Sequence, residues 1–126
     1  MQNKFPRYWL PPILWCAIIF AQSCFATPDV VPRWPYFDKV IHICVYALLG
    51  LLFYRALNTL SILRNRRTAI ILLATVLTAL YGLSDEWHQS FVPERTADAA
   101  DFGADLIGGW LGSTLYNKLA VPKRKS

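Results

Sequence analysis

The chain has 126 residues, which is enough for one compact unit and too few for two. Hydrophobic residues make up 55% and charged residues 17%, a balance that excludes an ordinary soluble domain and a disordered chain. The net charge is +5, and the three cysteines have no paired spacing that would indicate a disulfide framework or a zinc site.

Four apolar segments follow one another along the chain, and each has about the 20 residues that a helix needs to cross a bilayer. Helix is required because hydrocarbon offers no partner to free backbone groups. The segments cover residues 8–26, 38–57, 68–89 and 98–118. The sequence therefore predicts an all-α membrane protein, a four-transmembrane-helix bundle that forms a single domain over residues 1–126.

The first segment has an alternative interpretation as a secretion signal. Lys4 and Arg7, an apolar run, and a small-residue stretch at residues 23–26 resemble a signal peptide with its cleavage site. We favour a retained helix, because loss of this span would leave a very small bundle of three helices.

Basic residues mark the direction of the spans, since they collect in cytoplasmic loops. Ten of the thirteen fall before the first span, around the second connection or at the chain's end. All eight acidic residues and both histidines fall on the other side. We therefore predict that both termini are cytoplasmic and that the outer face is acidic.

Three of the predicted helices carry a polar stripe at their outer ends. On helices, residues three or four apart share a face, and we expect the three stripes to face one another because carboxylates are costly against lipid. The candidate pocket residues are Asp38, Lys39, His42, Tyr46, Asp85, Glu86, Gln89, Arg95, Asp101 and Asp105. Gly108 and Gly112 continue the last stripe, and we expect them to allow close helix packing.

Helix capping is the simpler explanation for some of these acids. A carboxylate at a helix start satisfies free amides and suits the dipole, which could account for Asp38 and Asp98. Capping does not explain Asp105, about 10 Å deeper than Asp98 at 1.5 Å per residue. It also does not explain Asp85 and Glu86 at a helix C-terminus, for which Arg95 is a natural partner.

Strong catalytic motifs are missing from the sequence: it has no HExxH, nucleophile elbow or phosphate loop. A divalent cation held by carboxylate oxygens is compatible with the acids, but their spacing is a weak signal. We assign no metal ligands and name no cofactor from the sequence.

Two blocks of these residues resemble the VanZ-like membrane proteins, which are named for a protein linked to resistance to the antibiotic teicoplanin. The first block is Asp38-Lys39-x-x-His42-x-x-x-Tyr46, continuing to Gly50. The second is Asp85-Glu86-x-x-Gln89, then Phe91-Val92-Pro93-x-Arg95, Asp101, Gly108 and Gly112. The family usually has asparagine where this chain has Asp105. The resemblance implies a small bacterial multi-pass protein of the cytoplasmic membrane, and it names no reaction.

Four functions compete at this stage. The first is binding or modulation of an envelope lipid, a peptidoglycan precursor or a glycopeptide antibiotic through the outward polar pocket. The second is an enzyme acting on a lipid headgroup or phosphoryl substrate, with Asp85 or Glu86 as base, His42 as acid or base and Arg95 on an oxyanion. A proton-coupled transporter and a purely structural lock are the others. We expect membrane lipids as partners and no nucleic acid.

Overall fold

The computed structural model describes residues 3–24, 37–91, 99–120 and 122, apart from the side chain of Asp38. These residues form four α-helices: α1 (Lys4–Ser23), α2 (Phe37–Leu57), α3 (Arg67–Gln89) and α4 (Ala99–Leu119). A short 3-10 turn, Ser61–Leu63, lies between α2 and α3. The prediction of an all-α fold with four helices is confirmed, and no strand occurs in the described part of the chain.

The helix limits agree with the predicted segments to within one residue except at the first one, which ends at Ser23 instead of residue 26 and begins at Lys4 instead of residue 8. The cause is a cap: the side-chain oxygen of Asn3 accepts a hydrogen bond from the Phe5 amide at 3.0 Å. Pro11 and Pro12 lie within α1 and do not end it. The interior of the helix therefore carries two positions that lack a backbone donor, besides Pro6 in its first turn.

α4 packs most extensively against α2 and then against α3. The approach to α2 depends on glycine. A Cβ atom at Gly112 would lie 1.8 Å from the Ala47 carbonyl oxygen, and one at Gly108 would lie 2.6 Å from that of Ile43. Two backbones in such close contact have no room for a side chain between them. This packing draws the polar ends of α2 and α4 together.

Within the described residues, two helices are long and apolar enough to cross a membrane: residues 39–57 of α2, and α3. Only about a third of each is buried inside the bundle, 33% and 39%. Leu72, Val76 and Leu80 line an exposed apolar face of α3, as suits contact with lipid. Together these features indicate a membrane protein.

α1 and α4 do not meet the same criterion of length and hydropathy. Asp101 and Asp105 lower the mean hydropathy of α4, and Pro11 and Pro12 lower that of α1. The four-span arrangement with cytoplasmic termini stays a prediction.

Candidate functional site

Most of the predicted pocket residues meet at one end of the bundle. We call the group the polar cluster; its members are Lys39, His42, Tyr46, Asp85, Glu86, Gln89, Asp101 and Asp105. They come from the start of α2, the end of α3 and the start of α4, which lie at the same end of the bundle because helices that follow one another in the chain run in opposite directions. Arg95 and Asp98 lie outside the described residues, and so does the side chain of Asp38.

Asp85 lies at the centre of a hydrogen-bonded network that joins three helices. Its two oxygens accept hydrogen bonds from Ser23 Oγ of α1 at 2.5 Å and from Tyr46 OH of α2 at 3.0 Å. Gln89 Nε2, one turn further along α3, donates to the same carboxylate at 3.1 Å. Asp85 is buried. Water does not reach a buried carboxylate, and three hydrogen-bond donors take its place here.

Lys39 and Asp101 form an ion pair between α2 and α4, with Nζ 2.5 Å from Oδ1. The two side chains remain 21% and 10% exposed, so the pair lies at the opening of the polar cluster. Asp101 is in the first turn of α4. It is therefore held both by a cation and by the favourable end of a helix dipole.

His42 and Asp105 form a second link between the same helices, one turn deeper. His42 Nδ1 lies 2.9 Å from Asp105 Oδ1. Lys39, Arg95 and His42 are the partners available to Asp105 in the sequence, and the described structure brings His42 to it. Asp105 is fully buried, and its Oδ2 has no hydrogen-bond partner among the described residues. That oxygen faces Gly82 of α3, where a Cβ atom would lie 2.6 Å from it.

Glu86 is a buried acid beside this second link. One ligand atom from each of His42, Glu86 and Asp105 can be chosen so that all three lie within 4.8 Å of one another. The three residues come from α2, α3 and α4. An imidazole and two carboxylates within this distance could exchange protons or share a cation.

Two positions in the site were not predicted from the sequence. Ser23 is fully buried and donates to Asp85, although it ends a segment that showed no acid and no polar stripe. Gly82 leaves the space that the Asp105 carboxylate occupies.

His88 lies outside the polar cluster: it stacks on Phe20 with ring centroids 4.6 Å apart, and its Nε2 is 3.9 Å from Cys24 Sγ.

The opposite end of the bundle is basic. A cavity of about 450 Å³ opens there beside Lys4, Arg55 and Arg64. The Arg55 guanidinium lies 4.6 Å from the centre of the Tyr8 ring and donates to the Arg7 carbonyl oxygen at 3.0 Å. The described acids therefore lie at one end of the bundle and the described lysines and arginines other than Lys39 lie towards the other, as expected for a polarised membrane protein.

A family model described as VanZ/LLP1 matches residues 4–120, which include all four helices. The chain belongs to the VanZ/LLP1 family. The resemblance seen in the two sequence blocks is thereby confirmed, and the match extends it to α1. No solved structure matches the chain.

This VanZ/LLP1 chain is also similar to an uncharacterized protein, C11E3.10, of the yeast Schizosaccharomyces pombe. The two are 37% identical over 92 residues, which is 71% of this chain and 54% of the relative. The chain thus spans about half the length of the curated relative that it matches. Because that relative is from a yeast, similarity of this kind does not by itself identify a bacterial source.

Proposed function

We propose that this protein spans the bacterial cytoplasmic membrane several times and binds or modulates an amphiphilic molecule of the envelope. An envelope lipid, a peptidoglycan precursor and a glycopeptide antibiotic are the candidate ligands. The observation that carries the proposal is the convergence of charged side chains from three helices at one end of an otherwise apolar bundle. Ionisable groups in a membrane are rare unless they face a functional site.

The depth of the polar cluster favours a headgroup as the bound part of the ligand. Trp87 and Phe91 lie at the same end of the bundle, exposed, with their rings in an edge-on contact at 5.5 Å. Large exposed aromatic rings are typical of the interface between water and hydrocarbon. The Lys39–Asp101 pair at the opening would therefore meet lipid headgroups, and Lys39 is its cation for a phosphate or carboxylate.

The orientation can be tested with the natural cysteines. Cys24 is exposed at the end of α1, whereas Cys44 is exposed on the apolar face of α2, where a thiol in hydrocarbon would react poorly. We expect a membrane-impermeant maleimide added outside intact cells to label the wild-type protein, and Cys24→Ser to abolish that label. In the Cys24→Ser protein, Ile62→Cys at the other end should react only after permeabilisation. Labelling of Ile62→Cys in intact cells would contradict cytoplasmic termini.

Ligand binding can be tested by replacing the ion pair at the opening as a unit. Lys39→Gln combined with Asp101→Asn removes both charges together, so that neither is left alone in the bundle. We expect the purified double variant to bind an anionic lipid precursor on the order of tenfold more weakly, the loss expected for one charge-assisted contact. The measurement is binding to nanodiscs that contain the precursor, together with teicoplanin susceptibility of the cells.

The matched control for that experiment is Lys118→Gln, which removes an exposed lysine at the opposite end of the bundle. It should leave precursor binding unchanged. Equal binding by the wild type and the double variant, with both proteins present in the membrane at equal levels, would refute a headgroup site at Lys39. Loss of folded protein in the double variant would favour the structural-lock alternative.

An enzyme is the second candidate, and one observation favours it. Glu86 lies buried within 4.8 Å of His42 and Asp105, so a carboxylate and an imidazole are placed for proton transfer. Asp85 is a poorer base because three donors already hold its charge. If the protein turns over a headgroup or phosphoryl substrate, Glu86→Gln should abolish the product and Ser84→Ala, at an exposed neighbour, should not.

A further inference from the structure

His42, Glu86 and Asp105 form a donor set that the proposed headgroup site does not itself require. One nitrogen and two carboxylate oxygens, from three different helices, can be chosen within 4.8 Å of one another. Imidazole nitrogen and carboxylate oxygen are the common ligands of Zn²⁺ and Mn²⁺ in proteins. We propose that these three residues bind a divalent transition-metal cation, with Zn²⁺ and Mn²⁺ as the candidates.

The distances are short enough for one ion to bridge the three groups. Metal–ligand bonds of about 2.1 Å hold neighbouring ligand atoms roughly 3.0–3.4 Å apart. His42 Nδ1 and Asp105 Oδ1 are already 2.9 Å apart. All three ligand atoms lie within 4.8 Å of one another, so the Glu86 oxygen must move closer to the other two by less than about 2 Å. A rotation of the Glu86 side chain can supply this movement.

A second observation points independently to a ligand at this position. Asp105 is fully buried, yet its Oδ2 has no hydrogen-bond partner among the described residues. The oxygen is directed at Gly82, which is one helical turn before Glu86 on the same face of α3. A buried carboxylate oxygen without a donor is costly unless it meets a proton or a cation. A metal ion that met both oxygens of the Asp105 carboxylate would satisfy it.

The neighbouring charges do not supply the missing partner. Asp101 is paired with Lys39, and Asp85 is held by Ser23, Tyr46 and Gln89. The described part of the polar cluster therefore contains four acidic side chains and two side chains, Lys39 and His42, that can carry positive charge. A divalent ion bound at Asp105 would balance that buried carboxylate and allow His42 to stay neutral.

A metal ion at this position could also contact the headgroup that we propose as the ligand. This part of the inference depends on the proposed function, whereas metal binding itself does not. His42 and Asp105 lie three and four residues along their helices from Lys39 and Asp101, so the ion would lie about 5 Å below the opening. With three protein ligands, a zinc ion keeps an open position. A phosphate oxygen of a headgroup held at Lys39 would be its natural occupant.

The test measures metal on the full chain, purified in detergent without added lipid. The protein is stripped with a chelator, equilibrated separately with Zn²⁺ or Mn²⁺, desalted, and its metal content is measured by mass spectrometry. We expect about one ion per wild-type chain. Asp105→Asn, which keeps the size of the side chain and removes its charge, should weaken binding by at least tenfold, and so should Glu86→Gln.

The matched control is His88→Ala, because His88 is the other histidine at this end and is not in the donor set. It should bind as the wild type does. Less than a tenth of an ion per wild-type chain with both metals would overturn the proposal, as would equal binding by Asp105→Asn, Glu86→Gln and the wild type. If one variant fails to fold, the other decides the result.

The two proposals fail in different ways. A wild-type protein that binds no metal but retains precursor binding sensitive to Lys39 would refute the metal site alone. A protein that binds one ion through Asp105 but no precursor would refute the headgroup site alone.

Discussion

Replacing Gly112 by alanine is expected to separate α2 from α4 and to destabilise the whole bundle. The added Cβ atom would lie 1.8 Å from the Ala47 carbonyl oxygen and 2.6 Å from its carbon. These are backbone atoms, so no side chain can rotate away, and the helices must move apart. Overpacking in a core typically costs 1–3 kcal/mol, and a clash with backbone should reach about 3 kcal/mol or more. Thermal unfolding in detergent measures the loss.

Gly103→Ala is the matched control on the same helix. Among the described residues, no heavy atom lies within 4 Å of a Cβ atom built at Gly103, so this change adds the same methyl group without a clash with them. Alanine also favours helix over glycine by up to about 1 kcal/mol. The Gly103 variant should therefore unfold at or above the wild-type temperature. Wild-type stability of Gly112→Ala would show that α2 and α4 are not in the close contact described here.

Much of the fold follows from the sequence because the composition leaves few alternatives. A chain with 55% hydrophobic residues in four segments of about 20 must pair its backbone groups within helices. The limits of α2 and α3 are then marked by Asp38 and by the arginines before Thr68. The helical spacing of Asp38, His42 and Tyr46 likewise predicts a stripe that faces the polar stripes of the other helices.

The individual pairings could not be predicted, because they depend on how far each helix is shifted along its neighbour. Lys39, His42 and Arg95 were equivalent partners for Asp105 in the sequence. The glycine contacts of α4 with Ile43 and Ala47 fix the shift at which His42, and not Lys39, reaches that acid. Helical spacing describes the faces of one helix at a time, so it contains no information on how far α4 is shifted along α2.

The role of Ser23 was invisible for a different reason. A serine at the end of an apolar segment usually contacts water or the helix backbone, so its type predicts nothing about a buried carboxylate. Only the packing of α1 against α2 and α3 brings its hydroxyl to Asp85. Gly82 was missed similarly, since glycine is common in membrane helices. Both residues act through a neighbour that lies more than 20 positions away in the chain.

Replacing Asp85 by leucine is expected to destabilise the bundle by about 3 kcal/mol or more and to loosen α1. Leucine has a similar volume but accepts no hydrogen bond, so Ser23, Tyr46 and Gln89 each lose their acceptor in a buried site. A buried donor left without its acceptor costs about 1–3 kcal/mol. The measurements are the unfolding temperature in detergent and the rate of proteolysis at the end of α1.

The control is Ser84→Leu, which adds a leucine at the exposed position before Asp85. It should leave the unfolding temperature unchanged because the new side chain faces outward.

Tyr46→Phe tests more directly whether the lost hydrogen bonds cause the destabilisation. If the Tyr46–Asp85 hydrogen bond carries part of the loss, Tyr46→Phe should destabilise the wild type but cost much less in the Asp85→Leu protein, which no longer has the acceptor. Equal costs in the two backgrounds would show that Tyr46 stabilises the bundle by packing alone. Wild-type stability of Asp85→Leu would show that the network does not hold α1 in place, and Asp85 would then be free to serve the ligand site instead.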